Sequence, residues 1–189
     1  YVVTNEVSMS QSLEVVGSAN LILADGAKLT VTGGSGHAGV EVADGNALTI
    51  WGQDGNTGTL DATGGGNGAG ITGGGNGAGI GGGDGVACGT VTINGGTVMA
   101  AGAGNGAGIG GGNNGAGGAV TIAGGTVVAK AGNKLVWDIG SGLSGNYVGE
   151  FVVKGGSVLL ANSGKCRDDG YPKNAKNAKG GTQVYCVTN

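Results

Sequence analysis

Few residues of this chain have a type and spacing that could do chemistry. Acid–base work on a glycan needs two carboxylates, or a carboxylate and a basic group, on one face. Asp25, Glu41, Asp44, Asp54 and Asp61 are dispersed, and Asp25 and Asp44 fall in Ala-Asp-Gly turns, where a short carboxylate caps backbone N–H groups. His37 is the only histidine. It has no metal-ligand spacing to any cysteine, and it reads as a surface-loop residue rather than a base. Asp168 and Asp169 are adjacent in a lysine-bearing stretch, but neither they nor Asp84 belong to the repeated acidic array of calcium loops. No catalytic residue is assigned from this set.

The aromatic residues offer a different chemistry. Trp51, Trp137, Tyr147 and Tyr171 stand out in a chain with 4% aromatics, and such rings present a flat apolar body with a polar edge. Trp137, Asp138 and Tyr147 combine rings that could stack on a sugar with a carboxylate that could hydrogen-bond it, and they form the candidate ligand contacts. The competing reading makes Trp137 a filler for a core left thin by glycine. Of the three cysteines, Cys166 and Cys186 flank a polar, lysine-rich loop and are expected to close it as a disulfide in an exported protein. Cys88 takes the place of Gly117 in the next copy of a repeat and is expected to be a buried free thiol.

A repeat sets the elements that must position these residues. GNGAGIGGG at 75–83 returns at 104–112, and VTINGGTV at 91–98 returns as VTIAGGTV at 120–127. Of the 28 positions from Gly75 to Gly102, 19 are identical to the residue 29 further on. Such a unit is one turn of a stacked structure whose neighbours bury what it cannot bury alone. Its two apolar bursts, 91–93 and 97–100, are each long enough only for a short strand, and Asn94-Gly95-Gly96 supplies a corner between them. Stacked as parallel rungs, Val91 lies under Val120, Ile93 under Ile122 and Val98 under Val127. The expected fold is all-β, a single-stranded right-handed parallel β-helix (β-solenoid) with glycine-rich arms. In the arm from Gly102 to Gly110 glycine falls at every second position, a strand period with a hydrogen-only face. A flexible or polyglycine-helical arm is the alternative, and the embedded Ile71, Ile80 and Ile109 argue against it.

With 189 residues, 50 of them Gly, one Pro, one Phe and 11% charged residues, the chain suits a single elongated domain, 1–189. Residues 1–16 read as an N-terminal cap or first rung, 17–130 as regular coils, and 131–189 as irregular coils, the Cys-bounded loop and a C-terminal cap strand. The opening at Tyr1 without methionine reads as a processed or excised fragment. The corners Ala24-Asp25-Gly26-Ala27 and Ala43-Asp44-Gly45-Asn46 fit hairpins and solenoid corners equally. Two arms, GGGNGAGI at 64–71 and again at 73–80, are too close to make a coil each, so one is expected on a coil face and the other as an inserted loop or a shortened coil. FVVKGGSVLLA at 151–161 repeats the two-strand unit, and 183–188 reads as a final strand. No segment shows a helical stripe. The net charge of −3, without a basic patch carrying aromatics, gives no support to nucleic-acid binding. No apolar run is long enough to insert in a membrane as a helix.

YVVTNEV at 1–7, NLILADGAKLTV at 20–31, GNALTIWGQ at 45–53 and the GNGAGIGGG…VTINGGTV units resemble a family of secreted, often gut-bacterial surface proteins built on right-handed parallel β-helical modules. The resemblance covers residues 1–130. It implies an extracellular or cell-surface setting and a role in adhesion or carbohydrate binding, and it carries no catalytic residue onto this sequence. The sequence therefore reads as an extracellular structural or adhesive module of a bacterial surface protein, with a glycan or a host or cell-surface polymer as partner. The alternative is a polysaccharide-degrading β-helix enzyme, a lyase or glycoside hydrolase. No cofactor is expected, and no metal-ligating set is assigned. Calcium, held through backbone oxygens that a sequence does not display, is the one ion the pattern permits.

Overall fold

The computed structural model describes residues 1–66, 75–146 and 149–161, together with the backbone of 183–186. Short β-branched bursts form its strands. Alternate residues of a strand point to opposite faces, so Val91 and Ile93 are buried while Thr90 and Thr92 face outward, and Val98 and Ala100 repeat this in Thr97–Ala101. The corner between the two strands closes because Gly96 takes φ +80°, as do Gly125 (+79°) and Gly156 (+81°) at the matching corners of the next two coils. A Cβ disfavours that conformation, which accounts for the Gly-Gly pair at all three corners.

The strands assemble into three sheets. The first holds, in spatial order, Val2–Val3, Ser18–Leu23, Ala47–Gly52, Thr90–Ile93, Ala119–Ile122 and Phe151–Val153. The second holds Glu6–Met9, Lys28–Thr32, Thr59–Thr63, Thr97–Ala101, Thr126–Lys130, Ser157–Leu160 and Gln183–Cys186. Leu13–Glu14, Val40–Glu41, Ile80–Gly81, Ile109–Gly110 and Ile139–Gly140 form the third. Up to Ser157–Leu160 the chain visits the sheets in turn, every named strand pair is parallel, and the result is the expected right-handed parallel β-helix. An isolated bridge between Ala43 and Cys88 is antiparallel. No helix occurs among the described residues.

The register follows the repeat. Val91 pairs with Val120, Ile93 with Ile122 and Val98 with Val127. Reading along the axis, Leu21, Ile50, Ile93, Ile122 and Val153 form one inward column, and Leu13, Val40, Ile80, Ile109 and Ile139 another. These columns meet in one apolar core that runs the length of the solenoid. Residues 1–16 wind as a full rung on the coil that follows. Its leading face leaves Val2, Val7 and Val16 exposed around a recess of about 500 Å³ lined by Val3, Met9, Leu13 and Val15.

The glycine arms differ from the continuous period-two strand that their spacing suggests. Only Ile80–Gly81 and Ile109–Gly110 are strand, and the second arm enters its strand through a turn closed by the bond from Gly106 N to Ala103 O. Alternate glycines serve instead to let successive coils touch backbone to backbone: a Cβ on Gly106 would run into the Gly77 carbonyl, and one on Gly112 into that of Gly83. Asparagines hold the arms in line. Asn76 Oδ1 accepts from Asn105 N at 3.2 Å, Asn105 Oδ1 accepts from Asn133 Nδ2 at 2.7 Å, and Asp84 accepts from both Asn76 and Asn113 at 3.1 Å. Of the two arms nine residues apart, the second supplies the rung. Residues 67–74 of the first lie outside the described residues, and Thr90 pairs with Ala47, 43 positions back, where neighbouring coils take 29.

Cys88 is buried and free, as its place in the repeat suggests. Burial pushes its thiol up to about 12, with the nearby charge of Asp44 adding to the shift. Because the thiolate is the nucleophile, native protein is expected to leave Cys88 unalkylated by iodoacetamide at neutral pH while urea-unfolded protein reacts fully. Peptide mass spectrometry showing rapid native labelling at Cys88 would contradict this burial. The proposed Cys166–Cys186 disulfide lies outside the described residues, since Cys166 is not among them and only the backbone of Cys186 is.

Candidate functional site

The loop between Thr126–Lys130 and Ile139–Gly140 carries two of the three ligand contacts read from sequence. Asn133 shapes it: its Oδ1 accepts from Leu135 N at 2.8 Å, and its Nδ2 donates to Gly104 O in the preceding coil at 2.8 Å. Asp138 is 1% exposed, and its Oδ1 accepts from Ala131 N at 2.7 Å, so the carboxylate ties the end of the loop to its beginning. Val136 packs with Ala107 and Ala131 beneath it. Trp137 is half-buried, and Leu135 is exposed. Tyr147 lies outside the described residues, so the three are not seen together.

The dispersed carboxylates remain dispersed. Asp25 reaches across to the 53–57 turn of the next coil, accepting from Gly55 N at 3.0 Å and from Thr57 N at 3.1 Å. Hydrogen bonds from the Thr57 and Gly55 backbone hold its carboxyl below the usual range. This clasp is therefore intact above the ordinary carboxylate pKa and is lost as pH falls through the lowered value. Asp44 caps Gly45 N at 3.0 Å, and Asp61 stands outward with Lys28 Nζ at 3.9 Å. Asp168 and Asp169 are outside the described residues. Among the described residues no three His, Cys, Asp or Glu side chains come together as a metal site. Trp51 is an exposed ring held by its Nε1–H to Asn20 Oδ1 at 3.0 Å.

One cluster was not legible as a unit. The turn closed by His37 N to Gly34 O, at 2.9 Å, brings the His37 ring back over the strand that follows, where Nδ1 lies 2.9 Å from Glu41 Oε2. Glu14 occupies the position in register with Glu41 on the preceding coil. Adjacent strands are about 4.8 Å apart, so two carboxylates and an imidazole share one side of the third sheet. Gln11, Ser12 and Gly34 complete a cavity of about 340 Å³. Ser12 Oγ itself is closed off from solvent and has no hydrogen-bond partner. The pairing of Glu14 with Glu41 depends on a 27-residue offset that matches no repeat in the sequence, and His37 to Glu41 depends on a turn, so the sequence pattern displays neither.

The fold and these sites define a glycine-rich parallel β-helix. The chain matches no protein-family model, no curated protein and no solved structure. No helix among the described residues is long and apolar enough to cross a membrane.

Proposed function

We propose that the chain is an extracellular structural or adhesive module of a bacterial surface protein, of the gut-bacterial kind its repeats resemble, with carbohydrate as its ligand class. The observation that carries this reading is the outer wall of the solenoid. Thr49, Thr92 and Thr121 stand in register on the first sheet, and Thr59, Thr97, Thr126 and Ser157 on the second. Rows of hydroxyls fixed at strand spacing over a continuous apolar core suit a rod that lies along a polymer. A processive or cleaving enzyme would instead need acid and base groups converging on that wall.

A second reading, a polysaccharide-degrading enzyme, is favoured by the cavity that holds Glu14, His37 and Glu41. The two separate on one assay. Purified protein is to be incubated with plant, microbial and host polysaccharides, with the insoluble fraction tested for bound protein and the supernatant for released sugars by mass spectrometry. Retention without release is expected. Oligosaccharides that accumulate with time and disappear with Glu41→Gln would replace the module with the enzyme.

A further inference from the structure

We propose that Asn94-Gly95, at the corner between Thr90–Ile93 and Thr97–Ala101, is a modification site at which the module ages: its asparagine converts spontaneously to aspartate and isoaspartate. The chemistry needs only the chain and water. The Gly95 nitrogen gives up its proton to solvent base and attacks Cγ of Asn94, and a succinimide ring closes as the Cγ–Nδ2 bond breaks and ammonia leaves. Water then opens the ring, so that one water is taken up for each ammonia released. Opening at Cγ leaves an aspartate; opening at the backbone carbonyl leaves an isoaspartate, whose main chain runs through the side chain and is one carbon longer. Asparagine is among the thermolabile residue types, and a glycine after it removes the Cβ that would obstruct the approach.

Hydrogen bonding selects this pair from the others of its kind. Asn76-Gly77, Asn105-Gly106 and Asn114-Gly115 have the same sequence, but each is engaged. Asn76 accepts from Asn105 N at 3.2 Å and donates to Asp84 at 3.1 Å, which holds its amide away from its own backbone. Asn105 Oδ1 accepts from Asn133 Nδ2 at 2.7 Å, and the nucleophile that follows it is tied as well, Gly106 N donating to Ala103 O at 2.8 Å. Gly115 N donates to Gly112 O at 2.8 Å. Such bonds must break before the ring can close. In the four Asp-Gly pairs of the described residues, which close the same ring with loss of water, the glycine N–H is likewise bonded.

At Asn94-Gly95 both reacting groups are free. Asn94 N donates to Ile50 O at 2.8 Å and Gly96 N to Asn56 Oδ1 at 2.7 Å, and the Gly95 N–H between them has no acceptor among the described residues. The Asn94 side chain has no hydrogen-bond partner there either. It is half-buried, and because Ser12 Oγ is the one closed-off side-chain polar atom that lacks a partner, both polar atoms of Asn94 reach solvent. The fold does not call on this amide. Ala123 and Lys154 stand at the matching corners of the next two coils, each before its own Gly-Gly pair. A longer backbone at this corner is felt inside, since Ile93 and Val98 on either side of it are fully buried.

The test holds the full chain, native and unfolded in guanidinium chloride, in warm, mildly alkaline buffer and samples it over weeks. Digestion under acidic conditions, which suppress further conversion, is followed by mass spectrometry with fragmentation that separates aspartyl from isoaspartyl peptides. In the native protein most of Asn94 is expected to be converted while Asn76, Asn105 and Asn114 remain amides; in the unfolded protein all four convert. Asn94→Ala, which copies the next coil, should match the circular dichroism of wild type and keep its melting midpoint over the incubation, whereas the midpoint of wild type falls as conversion proceeds. Native Asn94 that stays intact while the unfolded control converts overturns the proposal, as does native conversion at any of the other three pairs that keeps pace with it. A midpoint that falls equally in Asn94→Ala overturns this corner as the place where the module ages.

Discussion

Replacing Ile93 by alanine is expected to lower the free energy of unfolding by about 2–5 kcal/mol. Ile93 is fully buried, with Ile50 on one side and Ile122 on the other along the inward column. Truncation removes both the transfer energy of the lost methyl and methylene groups and the contacts of the cavity left behind. That cavity has little freedom to collapse. Asn94 N donates to Ile50 O at 2.8 Å and Ala123 N to Ile93 O at 2.7 Å, so the rungs above and below are pinned at strand spacing. Thr92→Ala, one residue away on the outer wall, serves as the comparison and should stay within about 0.5 kcal/mol. Urea melts of the two variants decide the matter. A loss for Ile93→Ala no larger than for Thr92→Ala would mean that the inward face has been misassigned.

This contrast shows what the sequence made legible. Where copies repeat at 29 residues, identical side chains at identical offsets require stacking, and Val91, Ile93 and Val98 sit on Val120, Ile122 and Val127 as their spacing demands. Where coil length varies, spacing loses its meaning. The same Ala-Asp-Gly signature turns the chain from the first sheet to the second at Ala24–Ala27 and from the third to the first at Ala43–Asn46, each closed by a bond of 3.0 Å between the outer residues. A turn motif reports a corner without saying which one. Glu14, His37 and Glu41 were out of reach for that reason: their meeting depends on the length of the first coil, which only tertiary packing fixes. Asp138 illustrates a different limit. Its residue type fits a sugar contact, but the backbone N–H of Ala131 at the start of the same loop engages it first, and no periodicity announces a bond between loop ends.

Gly110→Ala is expected to be the most damaging of all single-methyl additions to the regular coils, costing more than about 4 kcal/mol, in the range reserved for severe core and backbone disruption. Glycine is required at this position twice over. Gly110 adopts φ +140°, and its stacked partners Gly81 and Gly140 adopt +132° and +143°, a region that residues with a Cβ rarely enter. Strain of that kind costs on the order of 1–3 kcal/mol by itself. In addition, a Cβ on Gly110 would run into the carbonyl oxygen of Gly140 in the next coil. That oxygen cannot swing aside without cost, because it accepts from Gly111 N at 3.0 Å. Gly85→Ala in the preceding coil serves as the comparison for a positive φ without a clash. Gly85 has φ +76°, but a Cβ there would meet no atom within 4 Å, so that variant carries strain alone. Denaturant melts should place Gly85→Ala between wild type and Gly110→Ala, with the latter left only a small margin of stability if the module starts near the lower end of the ordinary range of about 5–15 kcal/mol. Equal losses for the two variants would contradict the close approach of Gly110 to the Gly140 carbonyl, and with it the account of why this rung is built on glycine.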